Sequence, residues 1–168
     1  AWGYYVSGVR KEPYLEVANL YYRNNPILLG FPPSKGKYTP HSYFACVLKS
    51  AQIYDRLEGS GVPGIKGVWV PGVGAYTLGL TIVSIKQLYH GHATEVGHLV
   101  AGIREAAYAM RFVVVVDDDI NPFDLDDVWW AMCTRMDPAE DVDLIKKTWS
   151  TPFEPRIRKP TDDFTLSA

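Results

Sequence analysis

The sequence predicts an α/β fold, and two observations carry that reading. Short runs rich in β-branched residues alternate with segments of helical period in the order strand, strand, helix, strand, helix. One run, residues 112–116, is continuously apolar and ends in Asp117-Asp118-Asp119, the pattern of a strand covered on both faces whose end emerges into polar surroundings. No internal repeat or low-complexity segment competes with this layout.

In chain order, residues 14–23 hold Tyr14, Leu15, Val17, Leu20, Tyr21 and Tyr22 and read as a strand. Asn24-Asn25-Pro26 is a turn into a second short run, 27–29, so this piece resembles a hairpin. Phe31-Pro32-Pro33-Ser34-Lys35-Gly36-Lys37 is dense in loop signals. A long helix is expected over 41–58, with Phe44, Val47, Leu48, Ala51, Tyr54 and Leu57 along its apolar face and Gly59, Gly61 and Gly64 stopping it. Residues 65–70 and 77–85 read as strands around Pro71-Gly72-Val73-Gly74. Residues 94–111 place Val96, Leu99, Val100, Ile103, Ala107 and Met110 at helical spacing, and 112–116 should be the central strand. A short helix over 124–135 has acidic residues in its first turn, where the helix dipole favours them. From Ser150 the tail is Pro-rich and charged.

Composition removes several function classes. With 47% hydrophobic and 21% charged residues, a chain of 168 can bury a core, and its formal charge of -2 gives no footprint for nucleic acid or an anionic membrane surface. No apolar stretch is long enough to span a bilayer, and no signal peptide is recognisable. Cys46 and Cys133 supply neither a disulfide framework nor a four-cysteine zinc site, which fits a reducing, cytoplasmic setting. The start at Ala1-Trp2-Gly3-Tyr4-Tyr5, without methionine and within strand-like aromatic sequence, reads as a cut in a longer polypeptide.

The motifs that invite a chemical reading each have a plainer one. Gly72-Val73-Gly74 fails the dinucleotide fingerprint because Gly79 stands too far on and no helix follows, so a tight inter-strand turn is expected. His90, His92 and His98 do not have the spacing of zinc ligands on one helical face and read as turn and capping residues. The triple aspartate could offer magnesium at most two converging carboxylates, and a helix cap with its turn explains it as well. Cys133, among apolar and aromatic neighbours, is expected to be a buried inert thiol. No hydrolase triad is evident. Trp129, Trp130 and Trp149, with the Pro-rich tail, predict an apolar surface used between subunits.

Three blocks, in order, carry a family resemblance: Val83-Ser84-Ile85-Lys86-Gln87-Leu88-Tyr89-His90-Gly91-His92-Ala93, then residues 112–122 ending Asp119-Ile120-Asn121-Pro122, then Val128-Trp129-Trp130-Ala131-Met132-Cys133-Thr134-Arg135. Together with Tyr22-Arg23-Asn24-Asn25-Pro26-Ile27 they resemble the C-terminal part of UbiD-type decarboxylases, over nearly the whole chain and thinning after Phe153. The resemblance implies a reversible, non-oxidative decarboxylation of an aromatic, heteroaromatic or α,β-unsaturated acid on prenylated FMN, with a divalent metal (Mn or Mg) and K+. It implies a mixed-sheet α/β oligomerisation domain over 59–153, preceded by the β-rich end of a split-barrel flavin-binding domain (1–40) and a linking helix (41–58), with a tail over 154–168.

The arginine and acidic residues that do the family's proton chemistry would lie upstream of Ala1, so no catalytic residue and no metal ligand is expected here. By position, the resemblance assigns Ala1, Pro40, His41, Phe44, Tyr108, Ala109, Thr151 and Phe153 to the substrate pocket, and Arg104 to the approach to the flavin phosphate. Phe44, Tyr108 and Phe153 would form a flat apolar slot, with His41 and Thr151 orienting ring substituents. Without the resemblance, Phe44 and Tyr108 would be read as core. The 32–37 loop, and His90 where proline usually precedes Gly-His, depart from the family pattern. The expected partners are the N-terminal portion of the same enzyme, further copies of the chain as a dimer or higher oligomer, and the acid substrate. The rival reading is a non-catalytic oligomerisation or regulatory module derived from the family.

Overall fold

The computed structural model describes residues 11, 13–28, 40–72, 79–108 and 110–150. Seven elements follow one another: α1 (Pro40–Gly59), β1 (Ile65–Trp69), β2 (Leu80–Ile85), α2 (His92–Gly102), α3 (Arg104–Ala107), β3 (Phe112–Asp117) and α4 (Leu125–Arg135). The strands form one mixed sheet in the order β1-β2-β3, with β1 and β2 antiparallel and β2 and β3 parallel.

Alternation along the strands divides the core in two, because successive side chains point to opposite faces of a sheet. Val68, Val83 and Ile85 point to the face covered by Ile53 and Leu57 of α1, Val96 and Val100 of α2, and Ala106 of α3. Trp69, Ile82 and Val116 point to the other face, under Val128 and Ala131 of α4 with Ile120 and Cys46. Helix α1 reaches both clusters and is pinned at its middle. The Ser50 hydroxyl donates to the Cys46 carbonyl at 2.7 Å and accepts the Val70 N–H at 2.9 Å. Helix α1 is thus built into the core of the described α/β unit.

Several expectations give way. Residues 112–116 form β3, which lies at the edge of the described sheet; Phe112 is exposed and Val113, Val114 and Val115 are half-buried. Burial on two faces is what an apolar run reports, and β3 has that: Val113 and Val115 pack on the first cluster, Val114 on the second. The central place belongs to β2, buried throughout from Thr81 to Ile85. The helix expected over 94–111 ends at Gly102, where Ile103 turns extended and its N–H caps the carbonyls of Leu99 and Val100. The break starts the short α3, which turns Ala106 into the core.

On α1 the buried stripe is Cys46, Ser50, Ile53 and Leu57, whereas Phe44, Val47, Leu48 and Ala51 face outward. Close approach of the helix to β1 selects the small residues Cys46 and Ser50 over the bulkier apolar stripe. Residues 13–28 form no strand, and their side chains are exposed. A strand is stable only when its backbone groups are paired, and no described residue pairs with these. Cys133 is exposed, not buried, because α4 turns Val128 and Ala131 to the sheet; Cys46 is the buried thiol. The expected turn at Gly74 lies outside the described residues.

Candidate functional site

Of the expected pocket residues, Ala1, Ala109, Thr151 and Phe153 lie outside the described ones. Pro40 and His41 open α1, whose first turn carries no acidic residue. Phe44, one turn further on, is 64% exposed, and Tyr108 is 36% exposed. Neither is core, although their apolar spacing alone would place both there.

Tyr108 follows α3 in extended backbone, and its ring meets that of Trp149 at 6.1 Å between centroids, tilted by 46°. The Lys49 ammonium of α1 lies 5.9 Å from the Tyr108 ring centre, and the Arg104 guanidinium of α3 covers the Trp149 ring at 4.4 Å. Two cations and two aromatic rings therefore form one continuous stack, each cation placed to meet the negative face of a ring. The structure thereby joins Tyr108 to Arg104. Five positions separate Phe44 from Lys49, about 140° around a helix of 3.6 residues per turn, so Phe44 leaves α1 on a different side from the stack.

Burial lowers the Lys49 pKa to about 8, partly offset by the attraction of the Cys46 thiolate. Burial likewise pushes the Cys46 thiol up, against the opposing effect of Lys49, which makes it a poor nucleophile. Below the stack, Arg56 of α1 donates from Nε and Nη2 to Glu105 Oε1 at 3.1 and 3.0 Å and ties α1 to α3. Backbone hydrogen bonding and then Arg56 hold the Glu105 carboxyl below its usual range.

The aspartates at the end of β3 are occupied within the fold. Arg135 of α4 donates to Asp119 through both Nη atoms, at 2.8 and 2.6 Å, and reaches Asp117 Oδ2 at 3.4 Å. Its hydrogen bond and charge hold Asp119 below the usual carboxylate range. Two of the three carboxylates do come together, onto a guanidinium, but through the turn that follows β3, since Asp118 and Asp119 lie beyond the strand. The cap of α4 is Asp124, whose Oδ1 accepts from the N–H groups of Asp126 and Asp127, so the triple aspartate is not the cap.

The histidines separate in the same way. His92 is fully buried at the start of α2, where Nδ1 accepts the Leu88 N–H at 3.3 Å and the Tyr89 ring stacks on it at 4.2 Å. Its Nε2 is buried without a hydrogen-bond partner. His98 pairs with Asp143 at 3.0 Å. Among the described residues no group of three or more His, Cys, Asp or Glu side chains could hold a metal ion. Arg104, the candidate for a flavin phosphate, lies with its guanidinium over the Trp149 ring at 4.4 Å, a contact that engages its face and not its N–H donors.

Sequence reading missed Lys49 and the seat of Trp149. A signal for Lys49 existed: it lies three residues after Cys46 and beside Ser50, at the border of the buried stripe. Trp149 follows α4 in irregular chain, where periodicity carries no information.

The model of the 3-octaprenyl-4-hydroxybenzoate carboxy-lyase C-terminal domain matches residues 42–163, most of the chain. The chain belongs to the UbiD family. A phenolic acid decarboxylase of Bacillus subtilis (strain 168) is 33% identical over 158 residues, which is 91% of this chain and 31% of that protein. The phenolic acid decarboxylase of Sedimentibacter hydroxybenzoicus is 28% identical over 160 residues, 92% of this chain and 31% of that protein. Among solved structures, the open form of the Sedimentibacter hydroxybenzoicus vanillic acid decarboxylase, with a truncated VdcD chain, superposes with a TM-score of 0.64 at 28% identity, over 71% of this chain and 25% of that one. An evolved dimeric form of the UbiD-class enzyme HmfF from Pelotomaculum thermopropionicum, in complex with prFMN, gives 0.56 at 27% identity, over 63% and 24%. The chain spans about a third of the length of the curated UbiD relatives it matches, and its mixed α/β architecture is the one shared with these structures.

Proposed function

We propose that this chain is the C-terminal portion of a prenylated-FMN-dependent carboxy-lyase that reversibly and non-oxidatively decarboxylates an aromatic, heteroaromatic or α,β-unsaturated acid. One observation supports this most: 91% of the chain aligns at 33% identity with a phenolic acid decarboxylase. The exposure of Phe44 and the partial exposure of Tyr108 support a pocket role for them, since exposed ring surface is available to a substrate or to the rest of the polypeptide.

In this reading the flavin supplies the electron sink for loss of CO2, and it is bound, with Mn or Mg and K+, by the part of the enzyme that precedes the chain. This chain contributes one wall. Tyr108 and Ala109 after α3 line one side of the slot, Pro40, His41 and Phe44 at the head of α1 another, and Ala1, Thr151 and Phe153 complete it around the acid's ring. The protein works in the cytoplasm as a dimer or higher oligomer; among the described residues no helix is long and apolar enough to cross a membrane.

Expressing residues 1–168 alone and supplying reconstituted cofactor should give neither tight flavin binding nor turnover, whereas the polypeptide extended upstream should decarboxylate aromatic acids. Turnover by the short form would overturn the assignment of the proton chemistry to upstream residues. An inactive extended form that still assembles would favour the non-catalytic module.

A further inference from the structure

We infer that Trp149 is a positioning residue for Tyr108, fixing that ring as one wall of the aromatic-acid slot; this rests on the pocket reading above. Tyr108 needs such a support. It lies just past the four-residue α3, with φ -63° and ψ 100°, outside any strand ladder. It is 36% exposed, so its ring is held by partial packing only. Its described ring contacts are Trp149 and the Lys49 ammonium.

Trp149 comes from a different place in the fold. The chain from 136 to 150 forms no helix or strand, and Val142, Leu144 and Ile145 along it are exposed. Trp149, itself 38% exposed, is the residue of this segment whose ring makes described contacts, with Arg104 over it at 4.4 Å and Tyr108 beside it. Arg104 and Tyr108 are four positions apart across α3, so the indole braces the end of that short helix from outside. Removing the indole leaves Tyr108 a ring with one support.

The test uses the full-length enzyme loaded with its cofactor, and compares Tyr108→Ala, Trp149→Ala, Trp149→Phe, Trp149→Leu and the Tyr108→Ala/Trp149→Ala double variant. Tyr108→Ala should change the ratio of kcat/KM between small and bulky aromatic acids about 10-fold. Trp149→Ala should move it in the same direction, through KM more than kcat, and should add nothing in the Tyr108→Ala background. Trp149→Phe, which keeps a flat ring, should restore most of the preference. Trp149→Leu, which keeps bulk without a ring face, should not, and it serves if the alanine variant fails to fold. Hydrogen exchange of a peptide covering 103–110 should quicken in the alanine and leucine variants and return in the phenylalanine one. An unchanged preference in Tyr108→Ala would overturn the pocket reading itself. A preference that shifts in Tyr108→Ala but not in Trp149→Ala or Trp149→Leu, or effects that add in the double variant, would overturn the positioning role and leave the pocket standing.

Discussion

At Gly64 the backbone has φ +79°, and a Cβ there would lie 2.7 Å from the Lys86 carbonyl oxygen and 3.2 Å from His92 Cε1. Both the left-handed conformation and the contact with backbone exclude a side chain. Gly64→Ala should cost more than about 2 kcal/mol, read as a lower urea midpoint. Gly59→Ala, where the added carbon meets open space at the end of α1, should be neutral or slightly stabilising by the same measurement. Lys49 gives a pH signature. Its pKa falls from 10.5 in the unfolded chain to about 8 in the fold, so between those values the unfolded state binds the extra proton. The Lys49 contribution to stability therefore rises from about pH 8 to pH 10.5, against the fall that the raised Cys46 thiol brings above about pH 9. Lys49→Met should flatten that rise, seen as the difference between the two melting curves across the range; an equal rise in both proteins would mean that the ammonium is not desolvated.

At the scale of the elements, Asp124 holds the first turn of α4 by accepting two backbone N–H groups. Asp124→Ala should cost about 1 kcal/mol and Asp124→Asn much less, by chemical denaturation, since the amide oxygen still accepts. This helix was legible because its signals are local: a capping aspartate, acidic residues behind it, and Arg135 in the last turn. The strand content of 65–69 and 80–85 was legible for a similar reason, since β-branched runs need no partner to be recognised. What failed was whatever depends on distant neighbours. The composition of 112–116 reports covered faces but is silent about which strand pairs with both others, and that place fell to β2. On α1 the larger apolar side chains suggested a stripe, yet proximity to β1 decided for Cys46 and Ser50. The break at Ile103 was hidden because Val96, Val100 and Ala107 keep helical spacing across it. In the candidate site, Tyr108 and Arg104 were named through kinship, but the Lys49 and Trp149 contacts that join them to α1 and the segment after α4 are tertiary and have no linear motif.

For the whole molecule, α4 turns Val128 and Ala131 to the sheet and leaves Trp129 and Trp130 outward, 65% and 51% exposed. Arg135 lies 5.1 Å from the Trp130 ring and covers it only in part. Two exposed indoles on one helix offer apolar surface of the kind that subunits bury. The protein should therefore be at least a dimer by light scattering across micromolar concentrations, and Trp129→Ser with Trp130→Ser should shift it toward monomer without loss of the melting transition. A wild-type monomer over that range would count against the interface.

The stack of Lys49, Tyr108, Trp149 and Arg104 spans a hundred positions of chain, from 49 to 149. At about 5–20 residues per second, Trp149 emerges from the ribosome roughly 1–3 s after Met132, the last residue of either core cluster. The sheet and both of its clusters draw on residues no later than Met132, so they can close during that interval. Tyr108 then waits bare on a finished domain, its ring open to other surfaces in the crowded cell, until the indole arrives. A nascent chain stalled short of 149 would display this ring indefinitely, which makes the last steps of synthesis the moment at which this face of the protein is most exposed to a chaperone.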